Sequence, residues 1–380
     1  MTTTSRLIRV VMVIQEYHPI VGGAQKQLAS QVNLLKNMGV DIHIITRRWP
    51  GLSPFETVRG IPVYRMLSRG PRPIAAITFI FSAVLKLFWL KPDIIHAFEL
   101  LSPSTVSVLA KWILRRPLVV KVLRGGVLGD LKKIGSGLLG RWRVPFVVNA
   151  ADVFVVISRE IDSELAALGV LPGRRAFIPN GVDVDRFIPA SLVEKEVLRA
   201  QLGLPKGLLA VFTGRLESEK RLDQLVALWP SVQVRYPDAH LLLVGTGAQE
   251  QSLRHNAGEG VCFTGSVDDV APYLRAADIF VLPSVAEGLS NALLEGLSCG
   301  LAVVATSVGG ATDVVKNNNN GLLIPPDAPE ELLTAILHLF DNAKLRQRLG
   351  VAGRQLIVNN YSMAKVVCSV QQLYRSLLIE

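Results

Sequence analysis

The sequence predicts an α/β protein made of two doubly wound, Rossmann-like domains that face a cleft between them. Three observations predict it. Short β-rich apolar runs alternate with helix-period segments along almost the whole chain. Glycine-bearing loops join a run to the following segment in both halves, at Gly22-Gly23, Gly125-Gly126, Gly214 and Gly245-Thr246-Gly247. The 380 residues are 49% hydrophobic and 19% charged, which suffices for two cores and excludes disorder.

In the first half, residues 9–14 read as a strand. A loop with Pro19 and Gly22-Gly23 follows, then a helix over 25–39 with Leu28, Val32 and Leu35 on one face and Gly39 as its stop. Residues 41–46 form the next strand. This βαβ unit has a glycine loop but no GxGxxG, so it lacks a dinucleotide fingerprint. The strand at 93–96 runs into His96-Ala97-Phe98-Glu99, which places His96 at a strand's carboxyl end, either as a ligand contact or as a hydrogen-bonder inside the fold. The strand at 118–123 leads to Arg124-Gly125-Gly126 and Gly129-Asp130. A strand at 151–158 and a helix at 159–168 precede the Pro-Asn-Gly turn within 177–187. Asp183 and Asp185 in that turn have the DxD spacing, but the setting suits a turn better than a metal holding a diphosphate.

Residues 74–90 are almost entirely apolar, broken by Lys86 and flanked by Arg65, Arg69, Arg72 and Lys91. Three readings stand: a helix packed on its sheet, a helix dipping into a membrane surface, or a span, for which the run is short against the roughly 20 residues required. A second basic stretch, Lys132, Lys133, Arg141 and Arg143, carries Leu138, Leu139 and Trp142, a mixture that suits an anionic leaflet.

The second half repeats the alternation. A strand at 208–213 precedes Gly214-Arg215-Leu216-Glu217-Ser218-Glu219-Lys220-Arg221, and a helix covers 222–234. Arg215 offers a fork and Lys220 a point charge to phosphate oxygens, unless Glu217 and Glu219 neutralise them. Strands at 239–244 and 261–265 follow. The apolar run 278–282 then leads through loop 283–286 into Glu287-Gly288-Leu289-Ser290-Asn291, a helix, and the strand 301–305 with Val308-Gly309-Gly310 after it. Strand, glycine loop, helix, strand is the arrangement that aims backbone N–H groups at an anion. Glu287 lies before that helix and Glu295 about a turn inside it, so both can face one ligand. Residues 317–320 read as a loop, and 330–340, 343–350 and 363–378 as helices.

Glu287-x7-Glu295 with Cys299-Gly300 closing the helix, together with Gly214-Arg215-Leu216 and Lys220, resembles the donor-site signature of the retaining family 4 glycosyltransferases, which have the GT-B fold. The resemblance spans nearly the whole chain and is strongest over residues 208–310. It implies an N-terminal acceptor domain over 1–188, a nucleotide-sugar domain over 189–360 and a last helix, 361–380, crossing back to the first. It implies that Glu295 binds the ribose hydroxyls, that Glu287 holds the donor sugar, and that Arg215 and Lys220 clamp the diphosphate in place of a metal. Gly22, Gly23, Gly214, Gly288, Leu289, Ser290 and Asn291 join them at the donor, and residues 261–270 line the base. Family members often carry His-Ala-His where this chain has His96-Ala97-Phe98, and His-Gly where it has Arg124-Gly125. His96, Arg124 and Asp130 are therefore candidates for acceptor or sugar contact, with Arg124 equally readable as part of a basic surface.

The expected activity is retaining hexosyl transfer from a UDP- or GDP-sugar to a hydroxyl of a glycan or lipid-linked acceptor, in cell-surface polysaccharide or glycolipid synthesis. No metal and no cofactor beyond the donor is expected. A GT-B epimerase or a non-catalytic nucleotide-sugar-binding protein is the alternative. The first 190 residues hold 25 Lys and Arg against 12 Asp and Glu, and the remainder 16 against 19. The basic half suits an anionic acceptor or membrane surface, and no nucleic-acid motif accompanies it. Residues 1–5 are polar and too short for a signal peptide, and Cys262, Cys299 and Cys368 lack metal-ligand spacing. The expected location is the cytoplasm, with peripheral attachment to the inner face of the plasma membrane.

Overall fold

A parallel strand covered on both faces needs apolar side chains at every position, not at alternate ones. That is the composition of the central strands in the computed structural model, which describes residues 7–20, 22–126, 129–135 and 140–378. The opening segment 1–5 and Leu138 and Leu139 of the basic stretch lie outside the described residues. The chain divides into two compact units, Met1–Asn180 with Ala364–Glu380, and Gly181–Met363.

The first unit holds strands β1 (Ile8–Val13), β2 (Val40–Arg47), β3 (Phe55–Val58), β4 (Ile61–Met66), β5 (Ile94–Ala97), β6 (Leu118–Val122), β7 (Val153–Val156) and β8 (Arg175–Phe177). They form one sheet in the order β3-β4-β2-β1-β5-β6-β7-β8, parallel except for the β3–β4 hairpin. Its helices are α1 (Gly23–Asn37), α2 (Arg72–Leu90), α3 (Ser102–Leu114), α4 (Asp130–Gly135), α5 (Gly140–Ala150) and α6 (Arg159–Ala167). The hairpin was not expected. It turns through Arg59 and Gly60 at φ +49° and +77°, the backbone of a two-residue turn that matches strand twist. Helix α1 begins at Gly23 instead of residue 25, so Gly22 is its N-cap and the glycine pair straddles the helix start.

The second unit has strands β9 (Leu209–Thr213), β10 (His240–Val244), β11 (Val261–Gly265), β12 (Ile279–Leu282), β13 (Ala302–Thr306) and β14 (Leu322–Ile324), all parallel, in the order β11-β10-β9-β12-β13-β14. Around them lie α7 (Leu192–Leu202), α8 (Leu222–Arg235), α9 (Glu250–Asn256), α10 (Ala271–Ala276), α11 (Asn291–Ser298), α12 (Ala311–Val314), α13 (Pro329–Asp341) and α14 (Ala343–Asn360). Helix α14 runs ten residues past the predicted 350, because Gly350 and Gly353 are buried contact points within it and do not end it. Asp183 Oδ1 accepts from the N–H groups of Asp185 and Arg186, both at 3.1 Å, so this carboxylate shapes the turn. Arg354 ties the same stretch into the second unit through the carbonyls of Val184 and Phe187.

The last helix, α15 (Met363–Ser376), returns to the first unit. Val366, Val367, Val370 and Tyr374 are its buried face, and Gln371 donates to the Met38 carbonyl at 2.7 Å.

Candidate active site

In a doubly wound sheet, ligands bind beyond the carboxyl ends of the strands where the strand order reverses. In the second unit that point lies between β9 and β12. The loops leaving these strands carry most of the donor-site residues proposed from sequence. Lys220 Nζ donates to Glu287 Oε1 at 2.6 Å, and Ser284 Oγ donates to the same oxygen at 2.7 Å. The Lys220 and Glu287 side chains are only 17% and 9% exposed, so their attraction is little screened by solvent. The Val285 N–H donates to the Glu219 carbonyl at 2.9 Å and joins the two loops. Arg215 lies beside them, 55% exposed, with its guanidinium 3.7 Å from Glu219. Of the two cations, only Arg215 meets an acid of its own loop. Glu217 instead accepts from the Ala248 N–H.

Close backbone approach builds the rest of the frame. Gly245 sits at φ +137°, and a Cβ there would collide with the Gly214 carbonyl. The two loops are stitched by Gly214 N–H to Val244 O at 3.0 Å and Leu216 N–H to Thr246 O at 2.9 Å. Gly309, at φ +50°, lies against the Glu287 carbonyl, and the Gly310 N–H donates to Gly288 O at 2.5 Å. Residues 287–290 are thereby fixed as they enter α11. Ser290 caps that helix, its Oγ accepting from the Leu293 N–H at 3.3 Å. Asn291 is the first helical residue, and Glu295 follows just over a turn later, half-buried. Gly288 and Leu289 complete the loop. Burial pushes the Cys299 thiol up to about 12, assisted by Glu295, which leaves it inert.

Ser284 was missed. It stands three residues before Glu287 in loop 283–286, fully buried, and its carbonyl accepts from Thr306 Oγ1 at 2.5 Å. A polar residue in an otherwise apolar loop beside the acid was the available signal.

In the first unit the order reverses between β1 and β5. The start of α1, with Gly22 and Gly23, follows β1. Gln25 braces the loop by donating to Glu16 O at 3.2 Å. His96 is 1% exposed, and its Nδ1 lies 2.6 Å from the Tyr374 hydroxyl of α15. Between the two roles expected for it, the structure records the internal hydrogen bond. Burial, with Lys121 nearby, takes its pKa down to about 3, so the ring is neutral. Asp130 is also enclosed. Its Oδ2 accepts from the N–H groups of Leu123 and Arg124 at 3.1 and 3.2 Å, which closes the loop after β6. The Arg124 side chain is half-buried.

Glu99, one residue beyond Phe98, was quoted in the sequence but given no role. Burial pushes its carboxyl up to about 8, the charges of Asp130 and Glu16 add to this, and Arg124 and Arg47 oppose it. A carboxyl that binds its proton more tightly when folded adds stability below its unfolded value, and that contribution is lost as pH rises through its folded value. Between pH 4.5 and about 8 Glu99 therefore contributes a loss of stability as pH rises, opposed by the buried His96 up to about 6.5 and by the buried Lys121 above about 7, whose lowered values act in the other sense. Glu99→Gln should make stability rise more with pH than in the parent, in urea titrations taken across the window. Parallel slopes for both proteins would show that Glu99 ionises freely.

Known protein families match both halves of the chain. Residues 207–342 match the family described as Glycosyl transferases group 1, and residues 21–186 match Glycosyltransferase Family 4. The chain is similar to the UDP-Gal:alpha-D-GlcNAc-diphosphoundecaprenol alpha-1,3-galactosyltransferase of Escherichia coli, with 27% identity over 384 residues and 95% of each chain covered. It is 30% identical over 336 residues to TuaC of Bacillus subtilis, a glycosyltransferase named for teichuronic acid biosynthesis, covering 81% of this chain and 82% of that one. Among solved structures, the sucrose-phosphate synthase of Thermosynechococcus elongatus superposes with a TM-score of 0.82 at 22% identity, covering 98% of this chain and 99% of that one. The chain therefore belongs to the family 4 glycosyltransferases, enzymes of the GT-B fold that use nucleotide sugars.

Proposed function

We propose that the protein moves a sugar, with retention of anomeric configuration, from a UDP- or GDP-sugar to a hydroxyl of a glycan or lipid-linked acceptor, in cell-surface polysaccharide or glycolipid synthesis. One observation carries the proposal: Lys220 and Ser284 converge on one carboxylate oxygen of Glu287 at the order reversal of the second sheet, with Arg215 beside them.

The donor's diphosphate meets Arg215, Lys220 and the N–H groups at the start of α11. As the glycosidic bond to the β-phosphate breaks, negative charge grows on the leaving nucleoside diphosphate, and the two cations stabilise it there. They supply the positive charge a metal would bring, and no further cofactor takes part. Glu287 orients the donor sugar and Glu295 the ribose. The acceptor hydroxyl attacks on the face from which the phosphate departs and gives its proton to that phosphate. The first unit selects the acceptor, with Arg124 in the loop after β6. A lipid-linked acceptor is favoured by the basic first half and by the diphosphoundecaprenol in the E. coli relative's name. The enzyme then works at the cytoplasmic face of a membrane.

A thermal-shift screen against nucleoside diphosphates tests the donor assignment. A nucleotide at a hundred times its Kd should stabilise the folded protein by about 2.7 kcal/mol and so name the base. Radiolabelled sugar from that nucleotide should then enter a membrane extract. If no nucleoside diphosphate stabilises the protein, the proposal fails. Release of an epimer without any acceptor would make it an epimerase.

A further inference from the structure

Helix α2 has two apolar faces, and only one is covered. Phe79, Ala83 and Leu87 are fully buried and face the core of the first unit. The opposite stripe is Ile74, Ile77, Phe81, Leu85 and Phe88, joined by Trp89, and each is at least half exposed, with Phe81 and Trp89 at 72%. These positions recur at helical spacing along the full 19 residues, a length of about 28 Å at 1.5 Å per residue.

The polar groups of this helix do not interrupt the stripe. Ser82 Oγ donates to the Thr78 carbonyl at 2.7 Å and Thr78 Oγ1 to the Ile74 carbonyl at 3.0 Å, so both hydroxyls are satisfied within the helix. Lys86 lies over the Tyr64 ring, its Nζ 4.0 Å from the centroid. The helix is apolar and long enough to cross a membrane by composition, but its buried face is packed in the unit, so a lipid-surrounded span is excluded.

Helix α3 packs beside α2 and extends the surface with Trp112 and Ile113, both more than half exposed. Both helices lead into parallel strands of one sheet, so their carboxyl ends lie at the same end of that sheet. There Lys91 and Arg115 are the C-cap residues, and with Arg116 they are exposed. Helices α2, α3 and α5 contain no Asp or Glu.

We infer that the outer face of α2, with Trp112 and Ile113 of α3, inserts into the interfacial region of an anionic lipid bilayer. The apolar stripe displaces interfacial water among the acyl chains, and Lys91, Arg115 and Arg116 meet the headgroups. A second copy of the chain fits this face poorly. A twofold contact would set Lys91, Arg115 and Arg116 against themselves, and Asp152, the acid bordering α3, is already paired with Lys111 at 2.6 Å. The inference rests on the proposed function only for what the membrane presents to the enzyme. The binding test needs neither donor nor acceptor, so its failure and a failure of sugar transfer are distinguishable.

The test uses the full chain with vesicles of phosphatidylcholine alone and of phosphatidylcholine with phosphatidylglycerol. Cosedimentation is expected with the anionic vesicles, weakening by about tenfold as salt rises from about 0.1 to 1 M. Tryptophan emission should shift to the blue and be quenched by brominated acyl chains. Combined Ile77→Ser, Phe81→Ser and Phe88→Ser should lower partition by about 10²-fold. Arg115→Glu with Arg116→Glu should lower it by about tenfold or more. Neither variant should alter the thermal shift given by the stabilising nucleotide, which shows that the protein is folded. Equal binding to neutral vesicles, or no cosedimentation with either, overturns the inference. A dimer abolished by the serine substitutions, without vesicle binding, also overturns it in favour of a second copy.

Discussion

Replacing Lys220 with alanine is expected to lower sugar transfer by about 10²–10³-fold while the protein stays folded. The magnitude is that of losing one preorganised group aimed at charge that develops in the transition state. The substitution leaves Glu287 with the Ser284 hydroxyl as a partner, so the structural cost is about 1–3 kcal/mol. Lys220→Arg should not restore the rate, because a planar fork cannot sit where an ammonium makes a 2.6 Å contact with one oxygen. Single-turnover kinetics with saturating donor, alongside circular dichroism, checks the prediction. A rate within about threefold of the parent would remove Lys220 from the reaction.

Glu295→Ala is expected to weaken binding of the nucleoside diphosphate itself by about 10²-fold, since charge-assisted hydrogen bonds to a ribose are present whether or not a sugar is attached. Glu287→Ala should differ in kind. On the proposed assignment Glu287 orients the donor sugar, so its loss should spare nucleoside diphosphate affinity and impair only the nucleotide sugar. Titration calorimetry with both ligands on both variants separates the roles. If Glu295→Ala leaves the diphosphate affinity unchanged, the ribose lies elsewhere.

The central strands were legible because burial on both faces writes itself as uninterrupted apolar runs, as in Ile8–Val13 and Ala302–Thr306. The loops after β9 and β12 were legible because their glycines and charges are close in sequence and follow such runs. What escaped has physical reasons. The β3–β4 hairpin turns on Arg59 in a left-handed conformation, where asparagine or glycine would have signalled it. The partner of His96 is Tyr374, 278 residues away, a pairing that local pattern does not carry. The two N–H groups that Asp130 Oδ2 accepts from its own loop were likewise not written in the local spacing. In α2, apolar residues occur on every side, so periodicity alone could not separate the inner face from the outer one.

The return of α15 to the first unit sets an order of events during synthesis. The second unit is one uninterrupted stretch and can complete its core as soon as it leaves the ribosome. The first unit, although made earlier, lacks Tyr374 for His96 and Gln371 for the Met38 carbonyl until α15, which follows the whole second unit, has been made. The half made first is therefore completed after the half made second, and a released chain truncated after residue 363 would carry a complete second unit beside an incomplete first one.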